Sequence, residues 1–242
     1  MITALIPARF ASTRFPAKLS QELCGKSVIQ RTYLSTQETG LFDQVIVVTD
    51  HEEIVRQIEE VGGEVFFSKT VHESGSDRIA EAVKNIATDI VVNVQGDEPF
   101  QDQKSLRDLV QAFEDPKVQV ASMMFHISIT EAQNPNAVKV VIDNDSNAMY
   151  FSRSPIPYIR ERADGFEYWK HVGIYAYRRE TLLEFTTWPK SKLEQIEMLE
   201  QLRLLEHGVK IKMVETKHQA IAIDVPEDLE KAIEYYQTHF KK

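Results

Sequence analysis

Four runs in the first hundred residues are dense in Val, Ile and other apolar side chains: Ile2–Pro7, Gln44–Thr49, Glu64–Phe67 and Asp89–Val94. Several of them are apolar at successive positions, so both faces are covered, as in buried parallel strands. Between them, Ser27–Thr39, Glu52–Val61 and Asp77–Ile86 repeat apolar positions at helical spacing, with Gly40 and the Gly62-Gly63 pair as stop signals. Strand–helix alternation at this spacing predicts βαβ units and a mostly parallel central sheet flanked by helices, a Rossmann-like α/β fold. The pattern changes after about residue 117. Val118–Ile127, Ala137–Ile142, Asn147–Ser152 and His171–Arg178 read as strands, with a turn at Asp143-Asn144-Asp145, which suggests an inserted antiparallel, β-rich segment. Leu193–Leu205 carries a strong helical stripe, Lys210–Glu215 and Ala220–Ile223 read as strands, and Pro226–Thr238 as a closing helix.

With 242 residues and about 150 per domain as a guide, the chain holds one large domain or two small ones. The lack of repeats or linkers favours one domain over 1–242, with the β-rich insertion at about 118–178. Cys24 is the only cysteine, which excludes an intrachain disulfide and a cysteine-based zinc cluster. Nothing approaches the ~20 apolar residues of a membrane span, and the opening apolar run is too short for a leader, so a soluble, cytoplasmic protein is expected. Lys plus Arg number 28 against 37 Asp plus Glu, a formal net charge of −9. That balance disfavours a nucleic-acid binder, which needs a broad basic face. Residues 1–31 reverse the trend with five cations and one anion, and a positive pocket in an acidic protein suits a small polyanion such as a nucleotide.

Three segments carry candidate chemistry. The loop after the first strand, Pro7 to Lys18, holds Arg9, Arg14 and Lys18, with hydroxyls on Ser12 and Thr13. In open α/β sheets ligands sit at the carboxyl ends of strands, where this loop must lie. Arg forks onto phosphate oxygens while Lys supplies a mobile point charge; the alternative is a solvated basic loop. Asp97, in Gln95-Gly96-Asp97-Glu98-Pro99, follows the most apolar strand. It is either a Mg²⁺ ligand acting with a bridging phosphate or a turn residue after Gly96. Asp224, in Asp224-Val225-Pro226-Glu227, is either a second metal carboxylate or a helix N-cap with Glu227 completing a capping box. Ser74 starts a helix signal and caps it by default. His171 reads as a core histidine or a ligand, and Glu194, Glu197 and Gln201 share a helix face that is solvated unless it meets a substrate.

Together these residues resemble the sugar-acid cytidylyltransferases. The opening Ile6-Pro-Ala-Arg9…Ser12-Thr-Arg14-Phe-Pro16…Lys18 is similar to that family's signature. Ser74–Arg78, Val94–Pro99, Asn134–Val140, Tyr150–Arg153, His171–Tyr175 and Glu194–Arg203 narrow the resemblance to the branch that activates the eight-carbon sugar acid 3-deoxy-manno-octulosonate (Kdo). The resemblance implies a nucleotide-diphosphosugar-transferase fold, a homodimer built in part on the β-rich insertion, and a Mg²⁺-dependent transfer of CMP from CTP to Kdo. By position, Ala8, Arg9, Arg14, Lys18, Ser74, Gln95 and Asp97 would meet the nucleotide, with Arg9, Lys18, Asp97 and Asp224 catalytic and the two aspartates on magnesium. Arg153, His171, Tyr175, Glu197 and Gln201 would face the sugar acid. Activation of a related acid (8-amino-Kdo or sialic acid) and an inactive nucleotide-binding protein are the alternatives. Ala17 and Leu19 stand where the family usually has Gly and Pro.

Overall fold

The computed structural model describes residues 1–11, 14–72, 74–161 and 165–240; Ser12 and Thr13 of the basic loop lie outside them. In chain order the elements are β1 (Ile2–Ala8), α1 (Val28–Glu38), β2 (Gln44–Thr49), α2 (Glu52–Glu59), β3 (Glu64–Phe67), α3 (Gly75–Val83), β4 (Ile90–Asn93) and α4 (Gln103–Gln111). They continue with β5 (Val120–Ile127), α5 (Ile129–Ala132), β6 (Lys139–Ile142), β7 (Ala148–Ser152), β8 (Tyr168–Arg178), α6 (Arg179–Phe185), α7 (Lys192–Glu197), α8 (Gln201–Glu206), β9 (Ile211–Glu215) and α9 (Pro226–His239). The contacts divide the chain into two compact units, residues 1–103 with 220–242, and residues 104–219. No helix among the described residues is long and apolar enough to cross a membrane.

In the first unit the strand order is β3-β2-β1-β4, all parallel. Strand β1 is central, and Ala4, Leu5 and Ile6 are fully buried. The chain runs outward from β1 through β2 to β3, then returns to the other side of β1 for β4. The order reverses between β1 and β4, and a crevice opens at such a switch point beyond the strands' carboxyl ends. Helix α1 begins at Ser27 in a capping box, where the Gln30 amide donates to Ser27 Oγ (3.4 Å) and the Ser27 amide to Gln30 Oε1 (2.8 Å).

In the second unit β5 pairs antiparallel with β8 and parallel with β9, and β6 pairs antiparallel with β7 and β8. The α/β class and its antiparallel part are as the pattern predicts. Two local expectations fail. Leu193–Leu205 is not one helix: Met198 adopts a left-handed conformation (φ 52°) that ends α7, and α8 starts at Gln201. Ala220–Ile223 forms no ladder; Ile223 makes a single main-chain bond, its amide donating to the Asp97 carbonyl (2.9 Å).

A buried ion pair spans the break at Met198. Arg203 and Glu194 are both buried and fork onto each other, Nε to Oε2 and Nη2 to Oε1, each at 2.8 Å. Glu194 is therefore a buried ion-pair partner and not part of a solvated face.

Candidate functional site

The carboxyl ends of β1 and β4 and the start of α3 enclose a cavity of about 300 Å³ in the first unit. Arg9, Lys18, Ser74, Gln95 and Asp97, all expected at the nucleotide, line it together with Pro7, Leu19, His72, Gly75, Arg78 and Gly96. Ala8 is the fully buried last residue of β1, directly beneath the loop. Close approach builds the cavity wall. A Cβ on Gly96 would lie 3.0 Å from the Pro7 carbonyl oxygen, and one on Gly75 3.3 Å from Pro7 Cγ. Gly96 has no left-handed φ; it is needed for proximity, not for the sharp turn that the sequence suggests. Thr32 Oγ1 donates to the Gly96 carbonyl (2.9 Å) and fixes the turn that aims Asp97.

Lys18 joins the two distant aspartates. Its Nζ donates to Asp97 Oδ2 (2.5 Å) and to Asp224 Oδ1 (2.9 Å), and Arg14 Nη2 reaches the same Asp224 oxygen (3.2 Å). Burial would lower the Lys18 pKa, but the charges and hydrogen bonds of Asp97 and Asp224 outweigh it and raise it. Two carboxylates from opposite ends of the sequence thus converge on one cation, which is not how a turn residue and a helix cap behave. The cap belongs elsewhere. Val225 is the N-cap of α9, and Asp228 Oδ2 accepts from the Asp224 (3.2 Å) and Val225 (3.3 Å) amides. The expected Asp224/Glu227 box is displaced by one residue, which frees the Asp224 carboxylate for the site.

The oxygen pair fits a hard cation. The oxygens of Asp97 and Asp224 can be no farther apart than the two Lys18 bonds laid end to end, and both are hard donors. No group of three or more His, Cys, Asp or Glu capable of holding a metal occurs among the described residues. An ion here would complete its shell with water or ligand phosphate, as Mg²⁺ usually does.

Ala17 precedes the 3-10 turn Lys18–Ser20 with φ 49° and ψ 35°. A left-handed L-residue costs roughly 1–2 kcal/mol, partly offset by the greater freedom glycine has when unfolded, roughly 0.5–1 kcal/mol. Ala17→Gly is therefore expected to raise stability by about 0.5–1 kcal/mol, measured by urea unfolding. A loss of stability would show that the turn is not strained.

The second unit holds the remaining candidates. Glu197 accepts from Ser152 Oγ (2.6 Å) and from the Arg153 amide (3.0 Å). The Arg153 guanidinium donates to the main-chain carbonyls of Glu197 (2.8 Å), Pro135 (3.1 Å) and Met198 (3.3 Å), so the fork anticipated for a sugar carboxylate is occupied by backbone. Fully buried Lys139 donates to the carbonyls of Asn134 (3.1 Å) and Arg153 (2.5 Å). His171 Nε2 lies 3.0 Å from Ser122 Oγ, and burial pushes its imidazole down to about 3, so it is neutral. Its ring centroid is 5.2 Å from that of Tyr175, brought near by a bulge opposite Ser122 and Met123. The Tyr175 hydroxyl is buried without a hydrogen-bond partner among the described residues. Gln201 is buried at the first position of α8. Because Met198 interrupts the helix, Glu197 and Gln201 are not the i, i+4 neighbours that a continuous helix would make them.

Comparison with known proteins points one way. The profile of the cytidylyltransferase family matches residues 3–211. A 3-deoxy-manno-octulosonate cytidylyltransferase of Flavobacterium johnsoniae is 55% identical, covering 96% of each chain. One from Christiangramia forsetii is 50% identical over 96% of this chain and 95% of its own. A solved CMP:2-keto-3-deoxy-manno-octonic acid synthetase complexed with CTP superposes with a TM-score of 0.94 at 38% identity, covering 99% of each chain.

Proposed function

The chain belongs to the cytidylyltransferase family, and from that premise we propose that it transfers CMP from CTP to 3-deoxy-manno-octulosonate, giving CMP-Kdo and pyrophosphate. The observation that carries this reading is the Lys18 ammonium held between Asp97 and Asp224 beside a cavity that also holds Arg9, Ser74 and Gln95. The relatives named for this reaction span nearly the whole chain. The activated sugar serves lipopolysaccharide assembly, and the reaction belongs in the cytoplasm, where nucleoside triphosphates are held.

In the reaction the anomeric hydroxyl of Kdo forms a bond to the α-phosphorus of CTP as the bond to the pyrophosphate oxygen breaks. Such transfer asks the protein mainly for positioning and charge neutralisation. Asp97 and Asp224 would hold Mg²⁺, which supplies positive charge to the triphosphate oxygens. Arg9 projects from the end of β1 and Lys18 from the 3-10 turn, so both can neutralise charge building on the departing pyrophosphate. Gln95 and Ser74 lie at the nucleotide, Ser74 while its hydroxyl accepts from the Asp77 amide (3.1 Å) and starts α3. Arg14 steadies Asp224.

The sugar acid is assigned to the second unit. Lys139 and Arg153 bring two cations near the single carboxylate of Glu197, a surplus that suits an acid substrate. The buried Tyr175 hydroxyl beside neutral His171 offers a hydrogen bond to a sugar oxygen, and Glu197 and Gln201 complete the group. A homodimer is the proposed assembly, since Met149 (65% exposed), Ile196 (69%) and Met198 (75%) present apolar side chains of the kind a partner covers.

Pyrophosphate release from CTP with a panel of Kdo, 8-amino-Kdo and sialic acid tests the substrate. The greatest kcat/KM is expected with Kdo. A higher value with another acid would reassign the substrate, and release with none would leave a nucleotide-binding protein.

A further inference from the structure

An aromatic contact crosses the carboxyl ends of β1 and β2. The two strands run parallel, with Ala8 beside Thr49 as their last paired residues. Two residues beyond that pair, Phe10 and His51 stack with ring centroids 3.7 Å apart and planes within 3° of parallel. Phe10 is half-buried although Arg9 and Ala11 on either side of it are exposed. We propose that His51 is a positioning residue for nucleotidyl transfer: its ring holds Phe10 and thereby sets Arg9 at the cavity before the triphosphate arrives. This rests on the reaction proposed above.

The His51 ring is held in place without help from Phe10. Its own amide donates to Thr49 Oγ1 (3.2 Å), and Thr49 is fully buried at the end of β2. Asp50, between the two, accepts from Arg78 Nη2 (2.9 Å). At the start of α2, His51 Nδ1 accepts from the Glu53 amide (3.3 Å), which fixes the direction of the ring. In the neutral imidazole the proton then sits on Nε2.

The upstream end of the basic loop has no such framework, since residues 9–11 belong to no helix or strand. The downstream end is tied by Arg14 to Asp224 and by Lys18 to Asp97 and Asp224. Those ties are ionic, and they would be exchanged when triphosphate and metal enter. The ring stack involves none of these charges and survives that exchange. Arg9 is the neighbour of Phe10 and lines the cavity. Ordering a loop residue at the moment of binding costs conformational entropy, and ordering it beforehand removes that cost. A cation that meets charge building on the departing pyrophosphate is most effective when it is already in place.

Two substitutions separate this role from the capping role of the same side chain. Asparagine is a preferred N-cap without an aromatic ring, so His51→Asn keeps a cap for α2 and releases Phe10. Phenylalanine stacks but accepts no hydrogen bond, so His51→Phe keeps Phe10 and loses the cap.

The test compares the parent chain with His51→Asn, His51→Phe and Phe10→Ala. It measures tryptic cleavage after Arg9 without ligand, the Tm, and kcat and KM for CTP and Kdo. Cleavage follows the open population of the loop. His51→Asn and Phe10→Ala should be cleaved roughly two- to tenfold faster, the worth of such a ring pair. Both should lose a similar factor in kcat/KM for CTP, with the KM for Kdo unchanged. His51→Phe should match the parent in cleavage and kinetics although it melts earlier, so a general loss of stability does not imitate the result. Parental cleavage and kinetics in His51→Asn, or equal losses in His51→Phe, would overturn the proposal. A parent that releases no pyrophosphate would refute the reaction and the role in turnover, while the cleavage rates still decide whether His51 holds the loop.

Discussion

Asp97→Asn turns over CTP roughly 100- to 1,000-fold more slowly than the parent chain while keeping its fold. The side-chain shape is retained, and Lys18 still has Asp224 as a partner at 2.9 Å. What disappears is one negative charge from the pair of oxygens that would hold Mg²⁺, and a hard cation bound by only two carboxylates depends strongly on each. Asp224→Asn should behave alike, and it separates two readings of this residue. Asparagine is as good an N-cap as aspartate, so a capping Asp224 would lose nothing. The capping duty falls to Asp228, however, whose carboxylate takes the Asp224 and Val225 amides. Pyrophosphate release as a function of Mg²⁺ concentration, with a thermal melt of each variant, checks both. Near-parental rates at low Mg²⁺ in either variant would remove that residue from the metal site.

The largest effect on stability is expected at the buried ion pair of the second unit. Arg203→Met leaves the Glu194 carboxylate enclosed without its two 2.8 Å hydrogen bonds from the guanidinium. Breaking a buried pair by removing one partner costs about 3–5 kcal/mol, because the remaining charge is uncompensated. For a chain of this size that corresponds to a fall in Tm of roughly 6–20 °C. Replacing both residues with apolar side chains, Glu194→Leu with Arg203→Met, should recover much of the loss, since no charge is then stranded. A double variant no more stable than Arg203→Met would show that the pair's geometry, and not the stranded charge, matters. The same pair holds the chain on either side of Met198, so its loss also loosens the start of α8 where Gln201 sits.

Much of the nucleotide site was legible because its signals are local. An apolar strand ending in a basic loop, and another ending in Gln95-Gly96-Asp97, place Arg9, Lys18 and Asp97 at neighbouring carboxyl ends once β1 and β4 are parallel. What escaped reading depends on contacts between residues far apart in sequence. The helix break at Met198 has no glycine or proline to announce it; the periodicity of Leu193–Leu205 continues across it, and the Glu194–Arg203 fork that bridges it shows only in the fold. The cap of α9 was misplaced by one residue because Val225 is a poor capping type and only the position of the Asp228 carboxylate reveals it. His72 and Arg78 sit within or beside a recognised helix-start motif, yet only the fold shows that they line the cavity and pair with Glu81 and Asp50. Arg153 illustrates the reverse case: its cationic type is legible, but its bonds to the carbonyls of Glu197, Pro135 and Met198 are not.

The central claim is nucleotidyl transfer to the sugar acid, and phosphorus NMR of the chain mixed with CTP, Kdo and Mg²⁺ tests it most directly. The account predicts that the triphosphate signals give way to a sugar-linked phosphodiester and pyrophosphate in equal amounts, and that Asp97→Asn leaves the triphosphate intact over the same time. Unchanged CTP with the parent chain, or pyrophosphate formed alongside free CMP without any sugar conjugate, would contradict it.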